Sequence, residues 1–454
     1  MALGRRKEER QQEFWVATQD LAQTPRHVFY EQLNRLLAEA EFDRQVEDLC
    51  EEYYAQGGRP SIPPGVFFRM IFVGYFENIS SQRGIAWRCD DSRSLRRFLG
   101  YAPQEETPDH SSLTRIKARL PREVFVAVFT LVLELTAEHK LLDGTTVGVD
   151  ATTLEADAAM KSIVRKDTGE DWEAYLKRLA AEDGVEIQSK ADLIRYDKDR
   201  NKKRKKKVSN DEWTSPNDPD ARITKMKDGT TDLAYKAEHV VDLKTEVIVA
   251  AEIYHADQAD TATLTESLTA AQENLEQAEV HRDIEKAAAD KGYHKASVLA
   301  DCEELTGRGV TPYIPEPESR YQRVWTDKPY REQRAVSNNR RRTGRAYGKR
   351  LQRRRSEVVE RSFAHVCETG GARRTWLKGI DNVRKRYTLQ AAAHNLGLIL
   401  RKLLGAGKPR EFAAAAGAFC FAQFATQGVS AVRCRLCALR NRFLVPLRPS
   451  ITAA

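Results

Sequence analysis

The stretch TTVGVDATTL, with Asp150 near its middle, constrains the fold most, because it alternates like a β-strand and carries a carboxylate. With a period of two residues, Val147 and Val149 point to one face of this strand. Gly148, Asp150 and Thr152 point to the other face, where small and polar neighbours leave room for an ion and a substrate. Burying a carboxylate on a strand is costly unless a metal ion or a charged partner offsets its desolvation. If Asp150 binds an ion, other residues of the chain must supply further ligands. A structural aspartate held by hydrogen bonds is an equally ordinary explanation for this residue.

Further strands follow this one. Residues 233–242 and 246–254 alternate as a hairpin around the turn Leu243-Lys244-Thr245. Residues 285–290 and 310–314 predict two more short strands, and Asp290 stands at the carboxyl end of the first, where open α/β sheets place ligand sites. With intervening helices over 260–275, from 295, over 345–367 and over 382–404, this order predicts a mixed α/β sheet of the ribonuclease H-like type.

The residues before Asp150 predict helices instead. Apolar residues recur at three- and four-residue spacing over 29–54, and Pro63-Pro64 starts a second helix with a broad apolar face. Short segments over 80–87, 92–99 and 111–120 start near serines and carry arginines, which suits a helix-turn-helix or an ordinary bundle. A longer helix over 121–141 leads into the strand. We expect an all-helical N-terminal domain over residues 1–141, which binds DNA or forms oligomers.

The remaining boundaries follow from composition. A chain of 454 residues allows two or three domains. We expect the catalytic domain over 142–404, interrupted by a polar, basic insertion at about 155–231 that contains a helix around 172–181. Residues 405–454 are alanine-rich without a clear period, and their role is not predicted.

Positive charge is concentrated in two runs although the net charge is only +8. Residues 198–207 contain eight basic side chains and one acid, and residues 340–355 contain nine basic side chains and no acid. Such clusters are typical of nucleic-acid binding, and a solvated loop is the ordinary alternative. No apolar run reaches the ~18 residues of a membrane helix.

The seven cysteines are scattered and odd in number, which favours reduced thiols in a cytoplasmic protein. Cys434 and Cys437 form a CxxC without a second pair at zinc-finger spacing. The widely spaced His239, His255 and His394 show no ligand pattern, so we interpret them as structural, together with His365.

The acidic motifs resemble those of a known family. GVDATTLEA around Asp150, AADKGYHKA around Asp290 and VVERSFAHV around Glu360 are similar to the three motifs of DDE transposases from bacterial insertion sequences. Residues 218–242 resemble the segment that opens the second strand in that family, and residues 60–120 resemble its amino-terminal domain.

The resemblance implies a chemistry. Asp150, Asp290 and Glu360 would hold two Mg²⁺ ions, which Mn²⁺ can replace, with Asp150 bridging both, because magnesium prefers carboxylate oxygens and two metals can promote in-line displacement at phosphorus. The enzyme, expected in the cytoplasm and at the nucleoid of a bacterium, would bind the terminal inverted repeats as at least a dimer. It would nick double-stranded DNA, and the freed 3′-hydroxyl would then attack target DNA. Glu357, one turn earlier, competes with Glu360 for the third position.

This sequence departs from the family pattern around Glu360. The signature Y-x2-R-x3-E-x6-K about the glutamate would place its other residues at positions now occupied by Arg353, Ser356 and Cys367. Other basic side chains must then contact phosphates, and Trp376 is a candidate for base stacking, although a buried core tryptophan is the favoured alternative. The candidate DNA-binding residues are Arg93, Arg96, Arg97, Lys202, Lys203, Arg204, Lys205, Lys206, Lys207, Arg353, Arg355, Arg373, Arg374, Trp376 and Lys378.

Two other functions fit the same residues. A ribonuclease H-like nuclease would hydrolyse DNA without strand transfer, and a catalytically silent protein of this fold would only bind DNA. Joining of pre-cut ends separates a transposase from a nuclease, and Mg²⁺ binding separates either enzyme from a protein that only binds DNA.

Overall fold

Helices form the chain up to the first strand. In this computed structural model, which describes residues 25–55, 57–58, 61–204, 209–226, 228–305, 309–318, 325–326 and 329–412, seven helices come first. They are α1 (Pro25–Glu39), α2 (Phe42–Cys50), α3 (Pro64–Glu77), α4 (Gln82–Asp91), α5 (Arg93–Phe98), α6 (His110–Arg119) and α7 (Arg122–Glu138).

Aromatic packing holds this helical region together. Phe67, Phe68, Phe72 and Phe76 of α3 are all at most 2% exposed, so α3 is buried on nearly all sides, as its broad apolar face predicts. The continuous helix predicted over 29–54 is wrong, because the chain breaks between α1 and α2. Glu41 takes a left-handed conformation there, with φ 48°, and this turn lets α2 pack on α3.

The second half contains a six-stranded mixed sheet and a two-stranded ribbon. The strands are β1 (Thr146–Glu155), β2 (Val164–Arg165), β3 (Trp213–Thr214), β4 (Arg222–Lys225), β5 (Thr231–Asp242), β6 (Ile248–His255), β7 (Lys286–Ala288) and β8 (Thr311–Tyr313). The remaining helices are α8 (Trp172–Glu182), α9 (Lys190–Arg204), α10 (Asp260–Gln277), α11 (Ala296–Glu304), α12 (Tyr330–Gly344), α13 (Ala346–Phe363) and α14 (Ile380–Leu404).

The main sheet has a ribonuclease H-like order. The antiparallel strands β6, β5 and β1 are adjacent, and β7 and β8 continue in parallel on the other side of β1. β4 pairs with the first residues of β5, and β2 and β3 form the separate ribbon. The predicted mixed α/β fold with a helical N-terminal region is thereby confirmed.

Helices cover both faces of this sheet. Val147 and Val149 of β1 pack with Leu264 and Leu268 of α10 on one face. On the other face α13 crosses β1, and α14 packs on β6 and on α7 of the helical region. The alternation predicted for β1 is confirmed, because its valines and Asp150 lie on opposite faces.

Two helices were not predicted. α9 follows α8 in the insertion, and α12 precedes α13. Both are strongly polar, so neither shows a long apolar stripe. In α12 the buried positions are Ala335, Val336 and Asn339.

The described ranges contain four cysteines and no disulfide. No disulfide joins Cys50, Cys89, Cys302 and Cys367, which are the cysteines of those ranges and are all buried. Cys434 and Cys437 lie outside them. Within the same ranges, none of the helices has the length and apolar character needed to cross a membrane.

Candidate active site

Asp150 and Asp290 occupy equivalent positions on neighbouring parallel strands. The last register pair of β1 and β7 joins Gly148 to Ala288, and each aspartate lies two residues beyond its member of that pair. Adjacent strands are about 4.8 Å apart, so the two carboxylates are neighbours at the same edge of the sheet.

Asp150 has a cationic partner from α13. Its Oδ2 accepts a hydrogen bond from Nη1 of Arg355 at 2.7 Å, and its Oδ1 accepts from the backbone N–H of Ala151 at 2.8 Å. Burial raises the pKa of Asp150 above its usual value, and the Asp290 carboxylate adds to this increase. Arg355 and the Ala151 amide oppose it. The desolvated carboxylate thus has a local positive charge beside it.

Asp290 caps the short turn that follows β7. Its Oδ1 accepts from the backbone N–H of Gly292 at 2.7 Å, at the start of the 3-10 turn Lys291–Tyr293. Capping fixes the carboxylate relative to the backbone, so its direction is set by this turn.

Close packing brings α13 against β1. A side chain at Gly148 would place its Cβ 3.0 Å from Cγ of Arg355 and 3.0 Å from Cγ2 of Val359. The same Cβ would lie 2.6 Å from Cδ2 of Leu243, so glycine allows the helix and the strand to approach this closely. His239, which pairs in register with Asp150, adds a polar anchor: its Nδ1 is 2.8 Å from Oγ of Ser362.

Glu360 lies on the exposed side of α13, the helix that crosses β1. Two turns earlier Gln352 donates to the carbonyl of Ala289, the residue before Asp290, at 3.1 Å. Residues four apart are neighbours on a helix surface, so Ser356 lies one turn after Gln352, and Glu360 lies one turn after Ser356. Glu360 is exposed, and its Oε1 accepts from Oγ of Ser356 at 2.8 Å.

Glu357 belongs to a different network. Its Oε1 accepts from Arg361 at 2.6 Å, and Arg361 also pairs with Glu246 in the turn between β5 and β6. This placement favours Glu360 over Glu357 as the third carboxylate.

The three carboxylates suit a divalent ion by chemistry, but they do not all converge here. Asp150, Asp290 and Glu360 offer the oxygen ligands that magnesium prefers. Across the described part of the chain, no three His, Cys, Asp or Glu side chains lie close enough to hold one ion. Asp150 and Asp290 end neighbouring register positions, so an ion held by all three carboxylates would require Glu360 to turn inward and Arg355 to release Oδ2 of Asp150.

The predicted DNA-binding residues of the helical region differ in availability. Arg93 and Arg97 of α5 are exposed, and Arg97 pairs with Glu31 at 3.1 Å. Arg96 instead donates to the carbonyls of Asp90, Pro103 and Glu105. It therefore stabilises the loop after α5, which sequence reasoning did not anticipate.

The basic residues near the end of β1 form an exposed strip. Trp376 is 50% exposed, with Arg374 stacked 4.5 Å from its ring centroid and its Nε1 donating to Oγ of Ser80 at 3.0 Å. The favoured expectation of a buried tryptophan is wrong. Lys378 is exposed and bonded to Asn217, whereas Arg373 is half-buried and donates to the carbonyl of Thr153 at 3.2 Å.

The remaining candidates for DNA binding differ in their exposure to solvent. Arg353 is exposed on α13, as a DNA contact must be. Arg355 is buried against Asp150, so its prediction as a surface contact missed its actual partner. The available signal was its position next to Ser356, where the signature has arginine. The backbone of residues 202–204 belongs to α9, and residues 205–207 lie outside the described ranges.

Comparison with known families matches two parts of the chain to transposase domains. Residues 18–119 match the family described as a transposase domain (DUF772), and residues 317–400 match the transposase DDE domain. The second match contains Glu360, whereas Asp150 and Asp290 lie outside both. The comparisons with curated proteins and with solved structures found no match.

The sheet order and the paired aspartates define a ribonuclease H-like protein with an acidic edge at β1 and β7. With the two family matches, the chain is identified as a DDE transposase of an insertion sequence. It is therefore a nucleotidyl-transfer enzyme that acts on DNA.

Proposed function

We propose that this transposase cleaves the ends of its own element and joins them to target DNA, using Asp150, Asp290 and Glu360 as metal ligands. The observation that carries the proposal is the register of β1 and β7, which sets two aspartates side by side at one sheet edge. Glu360 is exposed on α13, the helix that supplies Arg355 to Asp150. Divalent ions such as Mg²⁺, once bound there, supply an activated oxygen nucleophile and stabilise the leaving oxygen.

The chain's own residues have separate roles in this proposal. Asp150, which lies beside Asp290 and Arg355, would hold a metal ion together with Asp290 and Glu360. Arg355 neutralises Asp150 before the ions bind, and afterwards its guanidinium is free to contact a phosphate. Arg355 therefore takes over part of the role of the missing signature arginine.

The exposed basic side chains guide DNA to this edge. Trp376 and Arg374 form a half-exposed stacked pair, which suits an unpaired base at the cleavage point. Arg353 on α13 and Lys378 supply charge for the backbone. The terminal inverted repeats would be held by residues 1–141, where Arg93 and Arg97 are exposed.

The proposal also covers the domain boundaries and the oligomeric state. Residues 142–404 form the catalytic domain with an insertion at about 155–231, and residues 405–454 form a tail. Concerted joining requires two ends in one complex, so we propose at least a dimer as the active form.

Separate substitutions of the three carboxylates test the active site. Asp150→Asn, Asp290→Asn and Glu360→Gln should each reduce cleavage of a plasmid that carries the element's ends by about a thousandfold or more, because metal-ion catalysis contributes several kcal/mol. Glu357→Gln is the matched control on the same helix and should cleave normally. Wild-type activity in any of the three carboxylate variants would remove that residue from the site.

Hydrolysis without transfer is the alternative. Pre-cut ends with a free 3′-hydroxyl should be joined to a target plasmid by the transposase. If the protein nicks DNA but never joins these ends, it is a nuclease of the same fold. If it binds DNA but does neither, while Mn²⁺ also fails to bind, it is a DNA-binding protein.

A further inference from the structure

Two charged residues are buried beneath the acidic edge, on the face of β5 away from α13. Lys236 is 5% exposed and Glu238 is 0% exposed. Nζ of Lys236 lies 2.7 Å from Oδ1 of Asp260 and 3.3 Å from Oε2 of Glu238, and it donates to Oγ1 of Thr263 at 2.9 Å. Thr263 in turn donates to Glu238 at 2.7 Å. Charges at this depth are costly and are often replaceable by apolar residues without loss of stability.

This buried cluster reaches the turn that carries Asp290. The hydroxyl of Tyr293 donates to Oε2 of Glu238 at 2.9 Å, and Tyr293 is 1% exposed. Burial and the nearby Glu238 raise the pKa of Tyr293 well above its usual range, so the hydroxyl stays protonated and donates. Tyr293 ends the 3-10 turn that Asp290 caps, and its anchor therefore fixes that turn from below.

Asp260 supports the same turn from the side. A Cβ at Gly292 would lie 2.7 Å from Oδ2 of Asp260 and 3.0 Å from Oδ1 of Asp290. The glycine thus allows the Asp260 carboxylate, which Lys236 holds, to pack directly against the turn. Lys236 and Glu238 act on the turn through two different contacts, Asp260 and Tyr293.

We propose that Lys236, Glu238 and Tyr293 are positioning residues that hold the Asp290 carboxylate in the orientation needed to bind metal. The proposal rests on the proposed function, because it assumes that Asp290 is a ligand. A metal site requires its ligands to be held within about 0.5 Å, and Asp290 stands on a short turn whose position the strand alone does not fix. A cluster of buried charges joined by short hydrogen bonds supplies that constraint.

Tyr293→Phe tests the proposal, with Tyr235→Phe as the matched control. Tyr235 lies on β5, fully buried, and its hydroxyl donates to the buried Asp218 at 2.8 Å, on the opposite face of the sheet. Both variants lose one phenol-to-carboxylate hydrogen bond, so both should lower the urea midpoint by similar amounts. Only Tyr293→Phe should weaken Mn²⁺ binding in calorimetry, by about tenfold, the usual effect of removing an outer partner of a metal ligand.

Kinetics separate positioning from general damage. With Tyr293→Phe, kcat for plasmid cleavage should fall at limiting Mn²⁺ and recover when Mn²⁺ is raised about tenfold, while KM for DNA stays unchanged. Thr263→Val removes the hydrogen bond to Glu238 and the one from Lys236, and it should shift Mn²⁺ affinity in the same direction. Equal Mn²⁺ affinity of Tyr293→Phe and Tyr235→Phe would overturn the proposal.

The Asp290→Asn variant distinguishes failure of the proposed function from failure of the positioning network alone. If Asp290→Asn binds Mn²⁺ as tightly as the wild type, Asp290 is not a ligand and the proposed function fails. If Asp290→Asn loses binding while Tyr293→Phe behaves like Tyr235→Phe, the positioning network alone fails.

Discussion

Two buried arginines, one in the helical region and one in the sheet region, are used in opposite ways. Arg69 of α3 is 4% exposed and donates to both carboxylate oxygens of Asp43, at 2.7 and 2.8 Å, and to Oδ1 of Asn34 at 2.8 Å. Arg355 of α13 is 9% exposed, and its Nε has no hydrogen-bond partner among the described residues. Its Nη1 contacts Asp150.

This difference separates a structural ion pair from a site. A buried donor without a partner is costly, and such a cost is retained where the group has another task. Arg69 is saturated by its neighbours and fixes the packing of α1, α2 and α3. Arg355 is unsaturated, and its carboxylate partner stands at a sheet edge beside a second carboxylate. The helical region is built for packing, and the sheet region keeps charges available.

The largest expected effects on stability come from replacing each arginine by methionine. Arg69→Met should lower the free energy of unfolding by about 3 kcal/mol, because it breaks a buried pair, and the partial exposure of Asp43 keeps the loss at the low end. Arg355→Met should lower it less in EDTA, and Mn²⁺ should restore it, because an ion bound at Asp150 replaces the lost charge. Urea unfolding with and without Mn²⁺ measures both.

The two variants serve as controls for each other. Mn²⁺ should stabilise Arg355→Met more than the wild type, in which Arg355 competes for Asp150, and should leave the loss in Arg69→Met uncorrected. Equal stabilisation of the wild type and of Arg355→Met would show that Arg355 does not compete with the ion.

Acid should weaken the sheet region through His239. The imidazole is fully buried, with Ser362 and Tyr387 at its two nitrogens, both at 2.8 Å, and burial lowers its pKa from 6.5 to about 3. Between pH 6.5 and about pH 3, His239 is protonated in the unfolded chain and neutral in the folded chain. The free energy of unfolding should therefore fall by about 1.4 kcal/mol per pH unit below 6.5.

His239→Gln removes this titration. Urea midpoints measured from pH 7 to pH 5 should fall less steeply in His239→Gln than in the wild type. His281→Gln, at an exposed position, should keep the wild-type slope. Identical slopes for all three proteins would contradict a neutral, buried His239.

The smallest expected effect concerns the exposed charge on α12 and α13. Arg353→Gln should reduce the slope of log DNA affinity against log salt by about one, because one phosphate contact and its released counterion are lost. Arg340→Gln is the matched control, since Arg340 is already paired with Glu316 at 2.7 Å. An unchanged slope for Arg353→Gln, measured by fluorescence anisotropy, would exclude Arg353 from the interface.

Much of the sheet is predictable because its signals are local. The alternation around Asp150, the turn at residues 243–245 and the position of Asp290 after a short apolar run depend on neighbours in the chain. The buried apolar residues Val359 and Phe363 are likewise local signals in the sequence for the face of α13 that packs on the sheet. These elements were found within a few residues of their predicted ends.

The charged partners were not predictable, because they join distant parts of the chain. Nothing near Asp150 indicates that Arg355 neutralises it, and the strand pattern of residues 233–242 does not reveal that Lys236 and Glu238 are buried. Trp376 was expected in the core since tryptophan is large and apolar, whereas here it lies half-exposed beside Ser80. Polar helices such as α9 were missed, because tertiary contacts rather than an apolar period hold them.

A structure of the protein with Mn²⁺ and a cut DNA end would test the central claim most directly. The account predicts anomalous density for manganese between Asp150 and Asp290, with Glu360 turned inward and Arg355 moved from Asp150 towards a phosphate. Manganese bound elsewhere, with the contact between Arg355 and Asp150 intact in the DNA complex, would contradict it.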